Sequence, residues 1–122
     1  MANIIALDDV PEAVDIIKKI LQKKGHTVFA FTEEEDAIKH CKQNVADIAI
    51  LDIKLKKLSG IEVLEELKRL NPKIKIIMLT GYPTLETARE ALYLGADEYC
   101  IKPIEKSELE AKVEALIGQK NP

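Results

Sequence analysis

A doubly wound α/β fold, five parallel strands with helices on both faces, is the architecture this sequence predicts. Two patterns carry that expectation. Short continuous apolar runs, of which Ile48-Ala49-Ile50-Leu51 is the clearest, read as strands buried on both faces. Stretches with apolar residues at helical spacing alternate with those runs five times, with short connections. A crossover between parallel strands is right-handed and long enough to hold a helix, so the alternation packs helices on both sides of one sheet.

The elements follow in order. Asn3-Ile4-Ile5-Ala6-Leu7 is the first strand, ending at Asp8-Asp9. Pro11 suits the first helical position, and Val14, Ile17, Ile20 and Leu21 form the apolar stripe of a helix. Glu12 at its front and Lys18, Lys19, Lys23 and Lys24 towards its end complement the helix dipole, and Gly25 stops it at C′. Thr27 to Phe31 is the second strand. Thr32 is expected to cap the next helix, which opens on Glu33-Glu34-Glu35, turns Ala37, Ile38 and Cys41 inward and frays near Gln43-Asn44. The third strand runs to Asp52, and residues 53–58 read as a mobile loop closed by Ser59-Gly60 at the mouth of a third helix. Ile61, Leu64, Leu67 and Leu70 face the core there, and Asn71-Pro72 ends the helix. Ile74 to Leu79 is the fourth strand, closed by Thr80-Gly81; a helix from about Thr84 to Leu94 stops at Gly95. Asp97 to Ile101 is the fifth strand, Lys102-Pro103 leaves it, and a last helix carries Leu109, Val113, Leu116 and Ile117.

The 122 residues fit one domain, 1–122, with no repeat or linker. A net charge of -3 gives no support for direct nucleic-acid binding. No apolar run approaches the roughly 20 residues needed to cross a bilayer, and the chain enters a strand almost at once, with no charged leader. Cys41 and Cys100 form neither a metal cluster nor a disulfide framework and read as small buried hydrophobes. His26 and His40 are isolated and read as structural or exposed. A cytoplasmic address is expected.

Chemistry gathers where the strands end. Asp8, Asp9, Asp52, Thr80 and Lys102 all leave strands at the carboxyl edge, where open α/β sheets place their ligands. Two carboxylates about 4 Å apart repel by roughly 4 kcal/mol at an effective dielectric near 20. A domain holds only about 5–15 kcal/mol of stability, so such crowding calls for compensation. A hard divalent cation supplies it, and Mg2+, with oxygen ligands and several retained waters, suits an open acidic rim. With that cation present the remaining groups fit phosphoryl transfer. A carboxylate can act as nucleophile and become an aspartyl phosphate, while Lys102, the Thr80 hydroxyl and N–H groups at Gly81 bind the equatorial oxygens.

With "LDD" after the first strand, "LDIKL" around Asp52, "TGY" at Thr80 and "KP" at Lys102-Pro103, the chain resembles the receiver domains of two-component response regulators along almost its whole length. The resemblance implies a flavodoxin-like sheet of order 2-1-3-4-5. It implies that Asp52 is phosphorylated and that Asp9 binds Mg2+ directly and Asp8 through water. The Lys54 backbone carbonyl would complete the protein ligands. Thr80 would move toward the phosphoryl group and Lys102 would pair with it. Tyr99 would be the aromatic switch that turns inward, and Gly60 the glycine that begins the third helix. The phosphoryl group would come from a histidine kinase or phosphotransfer protein. Phosphorylation would alter the surface of helix 4, strand 5 and helix 5, with Tyr93, Leu94 and Tyr99 on or near it, for an output protein or attached effector domain that the sequence does not identify.

The chain also departs from that family. Leu55 and Lys56 stand where methionine and proline are frequent, and Lys54 puts a long cation beside Asp52. Lys54 and Tyr82 are expected to restrict attacking water and lengthen the life of the phosphate. Three other functions compete. An aspartyl-phosphate phosphatase needs an acid two positions after its nucleophile, where this chain has Lys54. A flavin carrier needs a phosphate loop where "DDVPE" would repel one. A receiver acting only as a binding module would have no need of the complete set of reactive groups. The reading is therefore a phosphorylated switch rather than an enzyme. A stand-alone receiver and one excised from a longer regulator both fit, since "TGYPTLETA" resembles receivers attached to transcription activators.

Overall fold

The computed structural model describes residues 1–55 and 59–118. Five parallel strands, β1 (Asn3–Leu7), β2 (Thr27–Phe31), β3 (Ile48–Asp52), β4 (Lys75–Thr80) and β5 (Glu98–Ile101), form one sheet in the order β2-β1-β3-β4-β5. Five helices connect and follow them: α1 (Pro11–Lys23), α2 (Glu34–Gln43), α3 (Gly60–Leu70), α4 (Leu85–Tyr93) and α5 (Lys106–Gly118).

Strand residues alternate between two apolar layers, as the pleat requires. Ile4, Ala6, Ile48, Ile50, Ile77 and Leu79 pack against Val14, Ile17 and Leu21 of α1 and Leu109, Val113 and Leu116 of α5. Ile5, Leu7, Ala49, Leu51, Ile76 and Met78 face the other way, onto Ala37 of α2, Leu64 and Leu67 of α3 and Ala91 of α4. All of β3 is buried, Asp52 included. Among the described residues no helix is long and apolar enough to cross a membrane.

Most element ends fall where the residues place them. Pro11 opens α1, and Gly25 just beyond it has φ +91°, a conformation that L side chains rarely adopt. Thr32 does not cap α2: the helix starts one residue later, with Ala37 N–H reaching the Glu33 carbonyl and no side-chain cap at Glu33. Ile53 is not part of a loose loop either. It is buried, its N–H bonds the Leu79 carbonyl at 3.2 Å, and its carbonyl accepts Gly60 N–H at 2.7 Å. Of the expected mobile segment, residues 56–58 lie outside the described residues.

Two acids at the amino end of the sheet are structural. Asp47 accepts Asn3 N–H on its carboxylate at 2.8 Å and donates its own N–H to the Asn3 carbonyl at 2.7 Å. Asp97 makes the same bracket on Ile76, at 2.8 Å each way, which is why β5 begins only at Glu98. His26 is buried, its Nδ1 accepting Ala2 N–H at 3.2 Å, and His40 packs against Phe29 with ring centroids 4.5 Å apart and planes tilted by 40°. Cys41 and Cys100 are free, and burial pushes the Cys41 thiol up to about 11 and raises that of Cys100, as fits packing roles.

Candidate functional site

The strand register assembles the site. Leu7 lies beside Leu51 and Asp52 beside Leu79, so Asp8, Asp52 and Thr80 leave three adjacent strands at one level. Thr80 in turn pairs with Ile101, and Lys102 N–H donates to the Thr80 carbonyl at 2.7 Å, which sets Lys102 on the same rim. Asp8, Asp52 and Thr80 are 2%, 7% and 1% exposed, among the few buried polar side chains described. Asp9 is half-buried.

Lys102 ties the acids together. Its Nζ lies 2.6 Å from Asp8 Oδ2 and 3.0 Å from Asp52 Oδ2, reaching across from β5 to β1 and β3. The remaining oxygens accept backbone donors: Asp8 Oδ1 takes Val10 N–H at 2.9 Å and Asp52 Oδ1 takes Lys54 N–H at 3.2 Å. Burial pushes the Asp52 carboxyl above its ordinary value, and the Asp8 charge adds to the rise; the Lys102 contact and Lys54 N–H oppose it. For Lys102 burial works downward, but the bonds to Asp8 and Asp52 outweigh it and hold the ammonium above its usual value.

One carboxylate oxygen from each of Asp8, Asp9 and Asp52 lies within 4.8 Å of the other two. An all-oxygen, all-anionic donor set at an open rim fits a hard divalent cation, and Mg2+ in particular. A single ammonium facing three carboxylates leaves the cluster net negative, so the donor chemistry has room for that cation. Lys54 is tied to the cluster by its backbone N–H bond to Asp52.

The other expected residues are placed as follows. Thr80 Oγ1 accepts Tyr82 N–H at 3.0 Å. Lys54 Nζ sits 4.3 Å from the centroid of the exposed Tyr82 ring, a cation–π contact joining the loops after β3 and β4. The Tyr99 phenol oxygen lies 2.8 Å from Thr87 Oγ1, on the first turn of α4. The Lys102-Pro103 peptide is cis.

Two features had weaker signals in the chain. Ser59-Gly60-Ile61-Glu62 is a capping box, Ser59 Oγ accepting Glu62 N–H at 3.2 Å and Glu62 accepting Ser59 N–H at 3.1 Å. The Ser-x-x-Glu spacing could have identified it. Gly60 also presses its backbone against the end of β3: a Cβ there would collide with the Asp52 carbonyl oxygen and lie 2.8 Å from Asp52 C and Ile53 Cα. Nothing local in the sequence announces that approach.

Residues 4–114 match the family model described as the response regulator receiver domain. The chain is 33% identical over 116 residues to the transcriptional regulatory protein ZraR of Escherichia coli K12, covering 95% of this chain and 26% of that protein. It is 32% identical over 115 residues to the alkaline phosphatase synthesis transcriptional regulatory protein PhoP of Bacillus subtilis, covering 94% of this chain and 48% of that one. The chain therefore spans between about a quarter and a half of these relatives. Among solved structures it is similar to a CheY-like response regulator receiver domain protein from Methanospirillum hungatei JF-1. That match has a TM-score of 0.93 and 33% identity, covering 98% of this chain and 96% of that one.

Proposed function

Because this chain belongs to the response regulator receiver domains, we propose that it is a phospho-acceptor switch in which Asp52 takes a phosphoryl group from a histidine kinase or phosphotransfer protein. One observation carries the reading: carboxylates from two strands, Asp8 and Asp9 after β1 and Asp52 at the end of β3, converge within 4.8 Å beside the ammonium of Lys102. An Asp52 oxygen attacks phosphorus, a P–O bond forms, and the P–N bond to the donor imidazole breaks. Lys102 and the Thr80 hydroxyl bind the oxygens of the transferred group. Asp8, Asp9, Asp52 and the Lys54 carbonyl would hold Mg2+, which when bound supplies charge neutralisation for that group.

The switch changes a surface rather than turning over a substrate. Phosphorylation biases an equilibrium between arrangements of α4, β5 and α5. Tyr93, Leu92 and Ile101 expose apolar side chains there for an output partner or an effector domain of the same polypeptide. The reading assigns no direct nucleic-acid contact to residues 1–122 and places the chain in the cytoplasm, consistent with two free cysteines.

Incubation with Mg2+ and acetyl phosphate, read by intact mass, tests the reading. One added phosphoryl group, absent in Asp52→Asn, is the expected result; no adduct, or turnover of many equivalents of an unrelated phosphate ester, would defeat it.

In this reading the donor docks beside the acids. An apolar groove of 420 Å³ opens beside Asp8 and Lys102, lined by Ala13, Ile16, Ile17, Leu79, Pro103 and Ile104. Ile16 is 58% exposed. Ile16→Asp is expected to slow transfer from a phosphohistidine protein by about ten-fold, the loss of one anchoring side chain. Labelling by acetyl phosphate should stay within about two-fold of wild type; equal slowing of both would place the effect in the site and not in docking.

The Lys54–Tyr82 contact joins the loops after β3 and β4, and in this reading it restricts the water that reaches the phosphate on Asp52. Lys54→Asn is expected to shorten the life of the phosphorylated form by about five-fold, the worth of about 1 kcal/mol of cation–π contact. An unchanged or slower loss of phosphate would remove both residues from that role.

A further inference from the structure

The start of α4 is held by a closed ring of hydrogen bonds that includes a side chain from β5. Thr84 caps the helix, its hydroxyl oxygen accepting Thr87 N–H at 3.0 Å. The Thr87 hydroxyl donates to the Thr84 carbonyl at 3.2 Å and lies 2.8 Å from the Tyr99 phenol oxygen. That phenol oxygen accepts Thr84 N–H at 3.4 Å. The protons can run one way round: Thr84 N–H to Tyr99, Tyr99 O–H to Thr87, Thr87 O–H back to Thr84.

We propose that Thr87 is a positioning residue for Tyr99, its hydroxyl fixing the tyrosine on the first turn of α4 so that the β4–α4 connection and β5 answer the phosphorylation site together. This rests on the switch reading above and names the atom that holds its tyrosine. The route from the site is short. Thr80 Oγ1 accepts Tyr82 N–H, two residues before Thr84. When the Thr80 hydroxyl turns to a phosphoryl oxygen, Tyr82 N–H loses its acceptor, and the segment that carries Thr84 N–H to Tyr99 is free to shift. Capping and positioning are separable at Thr87. The cap bond to Thr84 uses the Thr87 backbone N–H, which any residue but proline supplies; the Thr87 hydroxyl meets Tyr99 and also touches the Thr84 carbonyl and, at 2.9 Å, the Thr84 hydroxyl.

Fluorotyrosine labelling and fluorine NMR test this. The three tyrosines give three signals, and that of Tyr99 is the one lost in Tyr99→Phe. Thr87→Val keeps the side-chain shape and the backbone N–H bond of the cap but removes the hydroxyl, with its contacts to Tyr99 and Thr84. It is expected to move the Tyr99 signal and lower the population seated on α4 by about five-fold, equivalent to about 1 kcal/mol for one hydrogen bond. Thr87→Ser should restore the wild-type signal. A Tyr99 signal unmoved in Thr87→Val, or a serine variant that behaves like valine, overturns the proposal. With Mg2+ and acetyl phosphate, the Tyr99 signal should move in wild type and far less in Thr87→Val; equal movement in both also overturns it. If intact mass shows no phosphoryl group taken up, the switch reading fails, and the spectra recorded without donor still decide the Thr87 contact.

Discussion

Gly60→Ala is expected to lose about 3 kcal/mol of stability and most of its capacity to take up a phosphoryl group. Helix propensity alone argues the opposite sign, since alanine is favoured over glycine inside a helix by about 1 kcal/mol. The close approach decides. A Cβ at Gly60 would collide with the Asp52 carbonyl oxygen and sit 2.8 Å from two further backbone atoms, none of them the end of a flexible side chain. Neither side can yield easily: Gly60 N–H is bonded to the Ile53 carbonyl at 2.7 Å, and Ser59 and Glu62 lock the helix start. Overpacking of this kind costs about 1–3 kcal/mol, and the upper end applies where backbone must move. The atom displaced belongs to Asp52, the residue proposed to accept the phosphoryl group, so stability and reactivity should fall together. Urea unfolding and acetyl phosphate labelling check the pair, with Gly118→Ala as control because nothing lies within 4 Å of its added Cβ. A Gly60→Ala protein as stable as wild type would refute the close-packing account.

Lys102→Met is expected to melt about 10 °C below wild type without Mg2+, and to recover more than wild type does when Mg2+ is added. Removing one partner of a buried ion pair costs about 3–5 kcal/mol; Lys102's side chain is 29% exposed, which reduces this to about 2–3 kcal/mol. What remains is two buried carboxylates, Asp8 and Asp52, with no ammonium between them. The cluster then carries one more net negative charge, so Mg2+ binding should tighten by about ten-fold or more. Thermal melts across a Mg2+ titration measure both effects. A variant whose melting responds to Mg2+ no more than wild type does would mean that the three acids do not form the metal site.

The alternation of apolar runs and amphipathic stretches made the five strands and five helices legible, because both periodicities are local. The strand-end position of Asp8, Asp9, Asp52, Thr80 and Lys102 was legible for the same reason. Partnerships were harder to read. That one ammonium bridges Asp8 and Asp52, residues |i−j| = 94 and 50 away from it, depends on sheet order and register. Thr32 was expected to cap α2 on its residue type, yet the first helical bond leaves the Glu33 carbonyl. Asp47 and Asp97 flank apolar runs too, but at the opposite ends of their strands, where their carboxylates accept only backbone N–H groups of the neighbouring strand. Thr87 carries no motif at all, and its meeting with Tyr99 exists only because α4 lies along β5.

Those two brackets at the amino end have a mechanical consequence. Asp47 joins β1 to β3 and its carbonyl accepts Lys75 N–H at the foot of β4, while Asp97 joins β4 to β5. Four neighbouring strands are thus riveted at their base, like the ribs of a folding fan. Register at that end is held by carboxylates as well as by the backbone ladder, while the opposite end of the same strands carries the acids of the site.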